Sequence, residues 1–264
     1  DLHYPLRRQR QMCIRDSGCP IRMILRLGGG DLNALFGIAG FAGGIGFGTI
    51  FLKKGYSLQR TYALSKLESA MMPAIQVGLL VLVVAAPTFI FFSQKGPGAM
   101  HAPWLISLAA GLVVGGLAQY SRLCTVGGFR DLFLFKKSIL IFGYLAVLIG
   151  VFVVNISFGN FHLGFENQPI AHTDGLWNFL GMALAGFCSV LLGGCPLRQL
   201  IMTGEGNSDS AVTVLGLAAG AAFAHNFGLA ASGAGPTLNG EIAVVVGFVV
   251  ALIIAILNTK RANA

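Results

Sequence analysis

The chain has 264 residues, of which 55% are hydrophobic and 11% charged, with a mean hydropathy of +0.75. A soluble domain carries about 25% charged residues, so the composition excludes an ordinary soluble protein and points to the membrane. The net charge of +8 does not signal nucleic acid, because the basic residues lie between apolar runs, where membrane topology places them.

Residues 1–17, DLHYPLRRQRQMCIRDS, are polar and basic and lack both an initiator Met and the apolar core of a signal peptide. They resemble translated sequencing-adaptor read-through and are read as a non-native leader, Cys13 included. The rest, 18–264, reads as a single transmembrane domain that starts abruptly, as an N-terminally truncated fragment would. A membrane helix needs about 20 mostly apolar residues. Seven stretches meet or approach this: 32–52, 71–92, 104–120, 138–158, 175–193, 210–232 and 241–258. The expected fold is therefore an all-α polytopic membrane protein of about seven transmembrane helices. The 37 glycines sit inside apolar runs, which suits close helix contact and broken backbone. The five cysteines show no zinc or disulfide spacing, and no metal or cofactor is called for.

One stretch occurs twice. GCPIRMILRLGGGDLNALFGIAGFAGGIGF (18–47) aligns without a gap with GCPLRQLIMTGEGNSDSAVTVLGLAAGAAF (194–223), at an offset of 176 residues. Cys19 falls on Cys195, Pro20 on Pro196, Arg22 on Arg198, Gly28 on Gly204 and Gly30 on Gly206. Apolar bias does not produce a shared Cys-Pro-x-Arg followed by Gly-x-Gly, so the chain is read as an internal duplication.

Lys and Arg set the orientation. Residues 53–70, 121–137, the Cys195 segment and the C-terminal tail are basic. They alternate with 93–103, 159–174 and 233–240, which together carry only Lys95. The basic set, with the C-terminus, is expected in the cytoplasm. The Cys19 segment, with Arg22 and Arg26, breaks the rule, as residues held in a protein cavity would. Five spans separate Cys19 from Cys195, an odd number, so the two copies enter the membrane from opposite sides. That is an inverted-topology repeat, the arrangement in which secondary transporters build their site from broken helices.

Each copy reads as a short re-entrant helix feeding a full one. Pro20 and Pro196 suit a first helical position, which puts Cys19 and Cys195 at a helix N-terminus, where partial positive charge favours anions and thiolates. Arg22 and Arg198 follow one turn later. QYSRLCTVGGFRD forms a third Gly-rich segment, with Cys124 and Arg130. His225 and Asn226 lie inside an apolar run, where polar residues are functional by default. Competing roles exist for each. Free cysteines are often small buried apolar residues, as Cys188 is read, and the arginines can anchor at the interface. His225 and Asn226 can make helix–helix hydrogen bonds. The Gly-x-x-x-Gly pairs Gly40/Gly44 and Gly216/Gly220 are read as close helix packing.

GGCPLRQLIMTGEGNSDSAVTVLGLAAGAAFAHNFGLAAS and RLCTVGGFRD resemble the YeeE/YedE family of membrane transporters, closest to its YedE branch, which is associated with selenium metabolism. The resemblance spans nearly all of 18–258. It implies an inverted-repeat transporter, not an enzyme, in the plasma or inner membrane, passing a sulfur anion such as thiosulfate along cysteines on short helical loops. By resemblance, those cysteines are Cys19, Cys124 and Cys195. The expected substrate is a small selenium- or sulfur-containing anion, with the lipid bilayer and a soluble sulfur- or selenium-handling protein on the cytoplasmic side as partners. The alternatives are a membrane-embedded thiol, persulfide or selenosulfide exchange protein, and a subunit that only docks such a partner.

Overall fold

In hydrocarbon a backbone N–H or C=O left unpaired is costly, so an apolar run there closes its hydrogen bonds within itself, as a helix. The computed structural model describes residues 19–57, 66–85, 103–166, 168, 172–231 and 235–262. Among them are ten helices and no extended strand. These are α1 (Pro20–Gly28), α2 (Asn33–Lys53), α3 (Lys66–Ala85), α4 (Trp104–Tyr120) and α5 (Thr125–Phe135). They continue with α6 (Ile139–Ser157), α7 (Gly175–Leu192), α8 (Pro196–Gly204), α9 (Ser208–Asn226) and α10 (Leu238–Ala262). The protein is an all-α, multi-pass membrane protein.

Five stretches are long and apolar enough to cross a membrane: Asn33–Lys53, Trp104–Phe135, Ile139–Ser157, Gly175–Gly204 and Leu238–Thr259. Two of these hold a break: α4 runs into α5, and α7 runs into α8. The other two expected spans correspond to shorter apolar helices, Pro73–Ala85 and Ser208–Ala224. The stretch expected at 71–92 is described only as far as Ala85. That expected at 210–232 stops as helix at Asn226, because a turn follows in which Gly228 takes φ +63°.

The chain forms two compact units. The larger comprises 14–59, 124–195 and 222–264, and so contains α1, α2, α5, α6, α7 and α10. Its centre is α2 against α7. A Cβ at Gly40 would overlap the carbonyl of Phe179, and one at Gly44 that of Ala183, so only glycine lets the two backbones approach this closely. Phe41, Ile45, Met182, Phe187 and Val190 are fully buried around this crossing. α10 closes the far side of α7 through Ala251 and Ala255, which cluster with Tyr56, Phe187 and Leu191. α1 and α5 both pack on α6, and α5 also reaches α2. The smaller unit holds α3, α4, α8 and most of α9, with α3 touching α8. α3, α4 and α9 are apolar and largely exposed, as lipid-facing helices are, whereas α8 buries Gln199 and Thr203.

The two copies of the repeated stretch take the same local form. α1 and α8 both run from the Pro to the Gly that ends the short helix, nine residues each. Gly30 and Gly206, matched in the alignment, both adopt left-handed backbone, with φ +99° and +85°. The next residue in each copy then caps the following helix. The Asn33 backbone N–H donates to Asp31 Oδ1 at 2.9 Å, and the Ser210 N–H donates to Asn207 Oδ1 at 2.9 Å. The copies differ in one respect. Gly216 and Gly220, read as a close-packing pair like Gly40 and Gly44, face open space. In the first copy the glycines admit α7; among the described residues no helix comes as close to the second pair.

Candidate functional site

Three helices in this chain begin immediately after a cysteine: α1 after Cys19, α5 after Cys124 and α8 after Cys195. A helix leaves its first N–H groups without intrahelical partners, and of the two described caps the Cys124 sulfur accepts such a group while the Cys19 sulfur makes no cap bond. Cys19 and Cys124 have extended backbone at the cap position, φ −111° and −147°. Proline follows in two of the three cases because its missing N–H costs nothing at a first helical position.

Cys124 and Cys195 come together in the larger unit. Cys124 Sγ accepts the Gly127 N–H at 3.3 Å and also accepts the backbone N–H of Cys195. The two thiols are themselves within hydrogen-bonding reach, and no disulfide joins them. Cys195 is buried, at 1% exposure, and Cys124 is half-buried. Gly127 and Gly128 let α5 lie against Leu140 and Ile141 of α6. Beside this pair the Thr125 hydroxyl is buried without a partner among the described residues. Two backbone N–H groups and a second thiol thus converge on the Cys124 sulfur, with the buried Thr125 hydroxyl on the next residue. Such a set can hold a sulfur-bearing anion by weak donors, without the grip of a metal or a free cation.

Cys19 precedes α1, which packs on α6 as α5 does. It lies close to Tyr144, whose hydroxyl donates to the Pro20 carbonyl at 3.3 Å. The Tyr144 ring packs edge-on against Phe129 of α5 at 5.6 Å, so one aromatic contact connects the Cys19 and Cys124 helices. Cys188 packs at the edge of the Tyr56–Phe187–Ala255 cluster, away from these donors, in keeping with its reading as a packing residue.

The arginines expected beside the cysteines are engaged. Arg130 donates through Nε and Nη2 to Asp131 Oδ1 at 3.0 and 2.9 Å. Arg198 donates to Gln119 Oε1 at 2.7 Å, and its Nη2 lies 4.0 Å from Glu205 Oε2. Gln119 in turn donates to Glu205 Oε1, closing a three-membered polar ring within the smaller unit. Arg22 is half-buried and has an interaction of its own. Asn226 is exposed and donates to the Ala222 carbonyl of its own helix at 2.8 Å, rather than to a second helix. The side chain of His225 lies outside the described residues.

Sequence reasoning missed a second polar group. The turn between α1 and α2 is stitched to residues 162–164 by backbone bonds: His162 N–H to the Gly29 carbonyl, Gly164 N–H to Gly30 and Leu32 N–H to Gly164. Beneath it Arg26 Nε donates to Asp31 Oδ2 at 2.8 Å, with both side chains buried. Asn33 Nδ2 donates to Asp31 Oδ1 at 3.1 Å and to the Phe165 carbonyl at 2.7 Å. His172, close enough to feel Arg26 and Asp31, is buried next to them, and Asn178 Nδ2 donates to its carbonyl at 3.3 Å. Burial holds His172 below the ordinary histidine range. Asp174 and Asp31 oppose that shift and Arg26 adds to it. A signal was present: Arg26 and Asp31 are opposite charges astride a glycine turn, flanked by apolar residues.

Residues 120–262, just over half of the 264, match the family model for sulphur transport. That match covers Cys124 and Cys195, and Cys19 precedes it. No curated protein and no solved structure matches the chain.

Proposed function

Because the chain belongs to the sulphur transport family, we propose that it takes up a small sulfur- or selenium-containing anion and passes it along Cys19, Cys124 and Cys195. The observation that carries this is the Cys124–Cys195 spot, where two thiols and two backbone N–H groups converge at the break between apolar helices. Helix N-termini supply positive potential without a fixed charge, and S–H donors bind anions weakly enough to release them. Cys19 serves as a further station, at the start of α1. The two repeat copies stand inverted, with the C-terminus and basic loops in the cytoplasm, and the YedE-like features favour selenium species among the substrates. A counterflow assay in proteoliposomes with selenite, selenide, thiosulfate and sulfate tests this. At least one of the four exchanges faster than through empty liposomes. A folded protein that exchanges none overturns the proposal.

The same geometry favours a second reading, thiol exchange. No Cys-x-x-Cys occurs in the sequence, yet Cys124 and Cys195 form a thiol pair in space. If one thiol carried a sulfane sulfur as persulfide, attack by the other would release hydrosulfide and leave a Cys124–Cys195 disulfide, to be reduced by an external thiol. Analysis of the exchanged label separates the readings: transport returns the anion unchanged, and exchange returns hydrosulfide. Uptake in the absence of any soluble protein separates both from a docking role.

A further inference from the structure

Three buried polar atoms in the larger unit are unpartnered among the described residues and belong to one cluster: Arg26 Nη2, Asn33 Oδ1 and His172 Nδ1. Arg26 and Asn33 both bond Asp31, and His172 lies within electrostatic reach of Arg26 and Asp31. A purely structural ion pair would close on itself, as Arg130 and Asp131 do. Here the Asp31 carboxylate is fully used, accepting from Arg26 Nε, the Asn33 N–H and Asn33 Nδ2. The donor side is not. Arg26 Nη1 has only the Met23 sulfur at 3.8 Å, and Nη2 is buried with no partner among the described residues. Several polar atoms left open in one buried place call for something that completes them.

Charge decides what fits. Arg26 and Asp31 cancel, and the remaining groups facing His172 are these two and Asp174. An anion arriving alone would add an uncompensated buried charge, which is strongly disfavoured. A proton arriving with it offsets one unit of that charge. Resting on the transport reading above, we infer that the Arg26–Asp31–His172 cluster is a second anion station, which takes up one small oxyanion on Arg26 Nη2 together with one proton from solvent on His172. The neutral state of His172 in the absence of an anion, held by burial, leaves it ready to accept that proton. Linkage then runs both ways: the anion raises the proton affinity of His172, and a lower pH strengthens anion binding.

Thiosulfate titrated calorimetrically into the full chain in detergent, in two buffers of different ionisation enthalpy, tests this. Affinity rises by up to about tenfold per pH unit as the pH falls through the histidine range, with about one proton taken up per anion. His172→Gln keeps its fold by circular dichroism but binds with no pH dependence and no proton uptake. Arg26→Lys, which retains the charge but not the fork, binds more weakly. Failure of thiosulfate to bind, pH-independent binding by the native chain, or unchanged proton uptake in His172→Gln overturns the inference. The Cys124→Ala/Cys195→Ala double variant separates it from transport. Thiosulfate binding with proton uptake survives there while counterflow is lost. Counterflow by the native chain without proton uptake sinks this inference and leaves transport standing.

Discussion

The four described cysteines differ in surroundings far more than in exposure. Cys124 receives two N–H groups and faces a second thiol, whereas Cys188 packs at the edge of an apolar cluster. Cys124→Ala and Cys195→Ala are each expected to abolish most uptake in the counterflow assay, and Cys188→Ala to leave it near normal. Equal, full activity in all three would end the cysteine pathway. His172 makes a prediction about stability. Its pKa in the folded protein is depressed below the ordinary value of about 6.5, so on acidification the unfolded chain takes the proton first. The stability this represents is present above about pH 6.5 and is lost as pH falls through the folded value. Melting temperature without added anion should therefore drop below pH 6.5 more steeply in the native chain than in His172→Gln. Parallel curves would show that His172 does not titrate as its burial implies.

At the scale of elements, the two repeat copies offer an internal control. Gly44 and Gly220 occupy the same alignment position, yet a Cβ at Gly44 would run into the Ala183 backbone, while one at Gly220 meets nothing within 4 Å. Gly44→Ala should destabilise the α2–α7 crossing by about 1–3 kcal/mol, as overpacking does. Gly220→Ala should be neutral or slightly stabilising, since alanine is the better helix former. Melting temperatures of the two variants decide this; similar losses would mean that α9 is packed as tightly as α2. The comparison also shows how much of the fold was legible. Hydropathy located five of the seven expected spans to within a few residues, and Cys-Pro located the starts of α1 and α8, because both signals are local. The approach of Cys124 to Cys195, 71 positions along the chain, was not legible, because it depends on how α5 packs against α6 and α7. The Arg26–Asp31 pair stayed hidden for a related reason. An arginine beside an apolar run looks like an interfacial anchor until residues 162–165 bond to the turn that follows it.

For the whole molecule the decisive quantity is the number of crossings between Cys19 and Cys195. α2, α4 with α5, α6 and α7 belong to stretches that meet the length and hydropathy needed to cross. α3 is the open case: its apolar part, Pro73–Ala85, is short as described, but the sequence continues with PTFIFF beyond it. If α3 crosses, the count is five, and the two matching segments that begin after a Cys and end in a left-handed glycine enter from opposite faces. The Lys and Arg distribution, with Lys53, Lys54, Arg60 and Lys66 just before α3 and a single Lys95 after it, supports that crossing. Cys19 should then open to the external face and Cys195 to the cytoplasm. With one cysteine retained at a time in intact cells, a membrane-impermeant thiol reagent outside should label Cys19 and spare Cys195. Inverted vesicles should reverse the order, with Cys195 slow because it is buried. Cys124, half-buried against Cys195, should be slow from either side. Labelling of Cys19 and Cys195 from one face would mean an even number of crossings, with α3 returning to the side it left. The copies would then be parallel, and transport through an inverted repeat would lose its basis while the thiol-exchange reading kept its own.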